Sequence, residues 1–363
     1  MKLRFRVFLL LATTLGGIFT LAALVGAQDA PVPPTPPVPP SFVPPVPPLA
    51  PVDFAVIAPA PPATPATPAF PAIPAEPPGP FDWNRHHSMS VSDGDRHPAS
   101  QCSDLHIRFD DEDAVIKSEE RTVTKAEAPT LRVHPHKNGG VQVQGWDKDV
   151  YSVTACKAAA NYDGNAERIL SQITLTVQNG EVSTSGPEGQ SEWTVYLLIR
   201  APKAAAIDLE TSNGPLSLYG VDGKLTAHAV NGPITLRDFS GDADVRATNG
   251  PISIAGSSGS VRVHTENGPI SVNLKGKSWS GTGLSADAKN GPLTLIVPSD
   301  YQSSFVVESR NYSPMSCRAS ICENARKTWD DNNRRIEFGG SPAMIRLSTV
   351  NGPVSVQSPQ EEM

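Results

Sequence analysis

Residues 213–272 read NGPLSLYGVDGKLTAHAV, NGPITLRDFSGDADVRAT, NGPISIAGSSGSVRVHTE and NGPISV, which is three lines of 18 residues and the start of a fourth. Asn-Gly-Pro recurs at 213–215, 231–233, 249–251, 267–269, 290–292 and 351–353. The first three intervals are 18 residues, the fourth 23 and the fifth 61. A tripeptide returning at one fixed interval marks a repeat architecture. Each Pro is followed by a short alternating run: Leu216-Ser217-Leu218, Ile234-Thr235-Leu236, Ile252-Ser253-Ile254, Ile270-Ser271-Val272, Leu293-Thr294-Leu295 and Val354-Ser355-Val356. Gly223, Gly241 and Gly259 then hold one repeat position. A second alternating run places Leu225/Ala227/Ala229, Ala243/Val245/Ala247 and Val261/Val263/Thr265 in line. Alternation with period 2 buries one face of a strand and wets the other. Each unit is therefore two strands and two turns, too small to fold alone, and stacked units share one apolar core. The expected fold is all-β, a β-solenoid resembling a single-stranded β-helix, with core repeats over 195–300 and a closing repeat over 341–358.

The turn residues have separate reasons. Asn tolerates left-handed backbone and its amide bonds local groups. Gly supplies a second unusual φ, and Pro, lacking an N–H, suits the first residue of a strand. Stacking would place Asn213, Asn231, Asn249 and Asn267 above one another, with Asn290 and Asn351 continuing the series, as a ladder of amides that each donate and accept. The alternative is an Asn row that binds a ligand. The same stacking lines up Ser217, Thr235, Ser253, Ser271 and Thr294, with Ser355, on one outward row. Such a row either supports neighbouring strands or offers hydroxyls to a glycan. Glu210, His228, Arg246, His264 and Asp287 form a further outward row.

Outside the repeats the composition divides the chain. Of 363 residues, 37 are Pro, and 22 of those fall within 31–80. That segment favours extended polyproline II and reads, with residues 28–30, as a disordered linker over 28–80. Before it, Lys2, Arg4 and Arg6 precede an apolar run from Val7 to Leu24 and the small residues Val25-Gly26-Ala27. Residues 1–27 read as a signal peptide, or as an uncleaved anchor, since the run is long enough to span a bilayer. Either places residues 28–363 outside the cytoplasm: in the periplasm, at the cell surface or secreted. A net charge of −7 argues against nucleic acid, which requires a basic face.

Cys102, Cys156, Cys317 and Cys322 allow three pairings. An exported chain favours disulfides. Four residues separate Cys317 from Cys322, which suits a loop staple and leaves Cys102 with Cys156. Residues 141–144, 173–177, 193–199 and 345–349 read as flanking strands. Residues 311–335 read as an inserted, disulfide-closed loop that accounts for the 61-residue interval. Helix signal is weak, and 158–172 is its best candidate.

The repeated Asn-Gly-Pro-(Ile/Leu/Val)-(Ser/Thr)-(Ile/Leu/Val) units and the closing Ser348-Thr349-Val350-Asn351-Gly352-Pro353-Val354 resemble the toastrack family of bacterial adhesin-like domains of unknown function. The resemblance spans about 130–358. It implies a β-solenoid-like fold, an extracytoplasmic location, and a role in adhesion or envelope-stress sensing. It carries no catalytic residues, and the Pro-rich linker and Cys317/Cys322 lie outside its core.

Chemistry is sparse in the sequence. Asp208 and Asp244 share a row two units apart, and Asp222, Asp238 and Asp242 occupy turns, where Asp is ordinarily a turn former. Residues 110–113 form an acidic run without the spacing of a calcium loop. His228 and His264 would be separated by Arg246, which disfavours zinc. No nucleophile elbow, zinc-protease or phosphate-loop motif occurs. The reading is a non-enzymatic, cofactor-free envelope protein over 81–363. It would bind a glycan or an envelope protein through a flat strand face, and touch membrane only through an uncleaved N-terminal segment. Alternatives are a polysaccharide-active β-helix enzyme and an envelope-stress sensor with a protein partner.

Overall fold

A computed structural model describes residues 87–91, 98–109, 112–136, 138–161, 164–188, 192–311, 313–330, 332–340 and 342–359. The signal and linker readings lie outside the described residues. The described part is nearly all β, with one α-helix, Ala166–Gln172. Two long sheets face each other. Sheet I has 11 strands and sheet II has 12.

The 18-residue period is visible as register. Each repeat gives one strand to sheet II and the next to sheet I, as in Lys224–Asn231 followed by Ile234–Arg237. Successive strands run parallel and pair residue for residue at the repeat interval. Leu225 lies beside Ala243 and Ala243 beside Val261, while Ile234 lies beside Ile252 and Ile252 beside Ile270. We call one such pair of strands a rung. Of the five extra residues in the 23-residue interval, four fall before Ser280, since Ser258 pairs with Ser280, and the fifth is taken up by a register shift between Ser258 and Ser260, opposite Ser280 and Gly283. Inward residues of sheet I are large (Leu216, Leu218, Ile234, Leu236, Ile252, Ile254), and those of sheet II are often alanine (Ala227, Ala229, Ala243, Ala247, Ala286, Ala288). The two sets of side chains belong to one buried apolar cluster shared by both sheets. At the row beneath the turns, Thr211 and Thr349 replace Ala. Each is buried and donates its hydroxyl to a turn carbonyl, Gly139 and Gly291 respectively, at 3.0 Å.

The turn works differently from the expectation. Outside glycine, left-handed backbone occurs among the described residues only at Asn179, Asp238 and Asn311. The six motif asparagines are extended, ending strands of sheet II. Glycine is required by proximity: a Cβ on Gly232 would lie 2.1 Å from the Gly214 carbonyl oxygen, and one on Gly241 would lie 1.8 Å from that of Gly223. Backbone bonds cross the same gap, with Gly214 N–H donating to Asn231 O at 3.1 Å and Leu216 N–H to Pro233 O at 2.9 Å. The asparagine amides add a side-chain line. Nδ2 of Asn231 donates to Oδ1 of Asn213, Asn249 to Asn231, Asn267 to Asn249, Asn290 to Asn267 and Asn351 to Asn290, all at 2.8–3.0 Å. Two further residues extend it, because Asn213 donates to Asn138 and Asn311 to Asn351. Every bond points the same way, each amide donating one rung back.

Both ends depart from the repeat. At the first end, Trp193–Pro202 joins sheet I parallel to Val141–Trp146, and Val150–Ala159 and Val115–Thr124 follow it as antiparallel strands. The helix fills the core beside them through Ala166, Ile169 and Leu170. It begins later than residue 158 because Ala158 and Ala159 are paired in a strand with Thr194 and Trp193.

At the other end the loop reading of 311–335 is corrected. Met315–Cys317 is a strand of sheet I, and Arg326–Trp329 with Asn333–Phe338 forms a hairpin on sheet II. Spatial order also differs from chain order. Ile345–Asn351 lies between Ser280–Asn290 and Phe305–Arg310, and Val354–Gln357 lies between Leu293–Ile296 and Met315–Cys317. The chain skips one rung position, builds the outermost rung at 305–317, and returns to fill the gap. This accounts for the 61-residue interval and for Asn311 lying beyond Asn351. The period is invisible there because Asn311 is not followed by Gly-Pro.

Two stability measurements follow. Gly232→Ala is expected to cost about 1–3 kcal/mol, the range for forcing atoms into packed space, in denaturant melts. Gly340→Ala, where a Cβ meets nothing within 4 Å, should stay within about 0.5 kcal/mol. Asn249→Ala removes one bond given and one received in the ladder, and should cost about 1–2 kcal/mol by the same melts.

Candidate functional site

Because strands alternate, the residues between the buried positions of sheet I face outward. Ser217, Thr235, Ser253, Ser271 and Thr294 lie side by side in register, followed by Ser355 and Ser316. Ser253 is exposed and the others are half-buried. No hydrogen bond joins neighbouring hydroxyls of the five among the described residues, so the row presents hydroxyls to solvent. A second row runs beside it: Gln144, Tyr219, Arg237, Ala255, Asn273, Ile296 and Gln357. The hydroxyl row continues into Gln142, which pairs with Ser217.

Gln142 is only 3% exposed because a segment crosses over it. Its Oε1 accepts from Ala99 N–H at 3.0 Å and its Nε2 donates to Ala99 O at 2.7 Å. A second apolar cluster lies on this outer side of sheet I, with Ala99, Leu105, Ile107 and Phe109 against Cys156, Ala158, Tyr196 and Leu198. The disulfide Cys102–Cys156 ties the segment down, with Cα atoms 5.4 Å apart. Burial, then the nearby Tyr219, raises the Tyr196 hydroxyl far above its ordinary range, so it stays neutral. The segment is further braced by Asp104, which accepts from the Ser100 amide and hydroxyl at 2.8 Å and from the Gln101 amide at 3.1 Å. The Ser100 amide, then its hydroxyl, holds the Asp104 carboxyl below its ordinary value.

Between the crossing segment and the sheet is an open groove of about 420 Å³. Its polar lining includes Ser118, Glu120, Gln144, Ser152, Thr154 and Arg200. Ser152 donates to Glu120 at 2.7 Å and Arg200 reaches Ser100 O at 3.4 Å. Among the described residues of the lining Glu120 is the one carboxylate, and Glu119 faces the opposite side of the sheet and meets Lys157 at 2.6 Å. Such an arrangement can donate and accept hydrogen bonds and hold a carboxylate and a guanidinium toward a polar ligand.

The opposite molecular face, outward on sheet II, carries the mixed row. Glu210, His228, Arg246, His264 and Asp287 are in register, preceded by His134 and followed by Ser348. Arg246 pairs with Asp244 of its own strand at 2.9 Å through two nitrogens, not across the stack. It separates His228 from His264, and no group of three or more His, Cys, Asp or Glu suited to a metal occurs among the described residues. Cys317 is bonded to Cys322. No described helix is long and apolar enough to cross a membrane.

Sequence reasoning placed the rows but missed the groove. Gln142 and Gln144 were visible as the polar members of an alternating strand. Glu120 and Arg200 gave no signal, because only the antiparallel strands and the crossing of 98–104 bring them to one place.

No family model and no curated protein matches the chain. Three solved structures are similar to it. A putative cell adhesion protein from Clostridium sporogenes is 12% identical, over 68% of this chain and 100% of its own, with a TM-score of 0.27. A putative adhesin from Bacteroides fragilis is 12% identical, over 67% and 97%, with a TM-score of 0.29. A putative lipid binding protein from Parabacteroides distasonis is 8% identical, over 67% and 97%, with a TM-score of 0.22. Superpositions this loose do not transfer a ligand or an activity.

Proposed function

We propose that this chain is an exported, non-enzymatic envelope protein. Its β-solenoid displays the outer face of sheet I to a hydroxyl-rich partner, such as a surface glycan. The observation that carries the reading is the continuity of that face. Unpaired hydroxyls stacked at strand spacing lead into a polar groove whose far wall is fixed by a disulfide and by Gln142. Repetition at about 4.8 Å suits a repeating polymer, because each rung offers the same donor and acceptor again. All four cysteines are bonded, which supports an oxidising compartment.

A glycan array probed with the full chain tests this. Glu120→Gln with Arg200→Ala should weaken the best ligand roughly tenfold or more, the loss typical of charged hydrogen bonds. Thr235→Val with Ser253→Val should weaken long oligomers more than short ones. Unchanged binding by both double variants would remove the face from the argument.

A pH dependence is expected as well. A carboxyl held below its ordinary value contributes at neutral pH, and the contribution is lost as pH falls through its titration in the folded protein. Protection of the Ser100 and Gln101 amides, taken relative to unstructured peptide at the same pH, should therefore fall below the usual carboxylate range. Asp104→Asn should lower that protection at neutral pH and remove most of its pH dependence.

A further inference from the structure

The rung at 345–357 differs from every other repeat rung in one respect. Both of its neighbours in space, 280–296 and 305–317, precede it in the chain. The chain thus carries a slot one rung wide and, separately, the segment that fills it. The slot reads its occupant on both sides. Ile345 lies between Leu284 and Phe305, and Leu347 between Ala286 and Val307. Val354 lies between Leu293 and Met315, and Val356 between Leu295 and Cys317. Asn351 gives a hydrogen bond to Asn290 and takes one from Asn311, Thr349 donates to Gly291 O, and Ser348 donates to Asp287. The Arg318 amide closes the far edge on Val356 O at 2.7 Å.

None of these contacts depends on the occupant belonging to the same chain. The covalent tie is a link of six residues, 339–344, between Asn333–Phe338 and Ile345–Asn351. It reaches about 20 Å when extended. It is held chiefly at Ser304, whose carbonyl accepts from the Met344 and Ile345 amides at 3.2 and 3.1 Å. Its Gly340 packs against nothing within 4 Å. An internal rung could be exchanged only by threading chain through both ends, whereas this one is terminal and leaves by a single hinge.

We propose that the slot accepts the 345–357 rung of a second copy, so that two chains exchange C-terminal rungs and bind one another. Exchange of an identical element is a low-cost route to a dimer, since each slot regains all of its native contacts. The filled slot has a strand on each side of it in both sheets, so partner choice is made while chains fold and the product does not dissociate on dilution. The proposal does not depend on which ligand the outer face of sheet I takes.

The test uses two distinguishable full-length copies folded together, one carrying Asp287→Cys and the other Ser348→Cys. These positions are direct partners across neighbouring strands, a spacing that a disulfide spans. A covalent heterodimer is expected, increasing several-fold as total protein rises from about 1 to about 100 µM, as for domain exchange. Ser285→Cys with Arg346→Cys, also direct partners, should behave alike, and Ser217→Cys with Ser348→Cys should give none. Unsubstituted chain folded at the higher concentration should contain a dimer by light scattering that survives dilution. Deleting Gly339 and Gly340, which shortens the hinge, should raise its share. The proposal is overturned if unsubstituted chain is monomeric at every concentration. It is equally overturned if both pairs close when their two cysteines are carried by one chain but never when they are carried by two.

Discussion

Everything in this molecule rests on how closely one Asn-Gly turn lies on the next. The carbonyl of one turn glycine occupies the space where a side chain of the next would begin, as the 2.1 Å separation at Gly232 shows. With no Cβ there, backbone bonds cross the gap at ordinary length, and the asparagine amides come within bonding distance of each other. Strand pairing alone fixes the distance between rungs but does not stop a strand from slipping by two residues, which keeps the same face inward. The turn removes that freedom. A slipped strand would bring a Cβ against a carbonyl and break the amide line in the same step. Register at one corner therefore sets register across both sheets, and the outward rows stay straight because of it.

The regular part of the fold was legible because its constraints are local and repeated. Alternation named the buried residues, equal spacing named the stacking, and the order of Ser217, Thr235, Ser253, Ser271 and Thr294 followed from both. The turn was correctly located and explained in part. The amide ladder expected of the asparagines is present, but their backbone is extended rather than left-handed, and Gly serves chiefly through its missing Cβ. Composition does not distinguish these reasons, since both select the same residue.

The irregular ends were not legible, for a topological reason. Asn138 precedes Gly-Gly and Asn311 precedes a tyrosine, so neither fits the tripeptide, though both donate or accept in the ladder. The return of 345–357 between earlier rungs has no local signature, because a strand looks the same whether its neighbours come before or after it. The groove is hidden similarly. Glu120, Gln142, Ser152 and Arg200 are far apart in sequence, and only the pairing of four non-repeating strands gathers them.

The uniform direction of the amide line has a consequence for how such a chain changes length over time. Because each asparagine donates backward and accepts forward, a rung presents complementary halves of one bond on its two sides, and any rung can be spliced out or duplicated as a whole. Removal of residues 231–248 would bring Asn213 against Asn249 with donor meeting acceptor, large residue meeting large and turn meeting turn. Loss of an odd number of residues instead turns a strand inside out. Whole rungs are thus the natural unit of insertion and deletion.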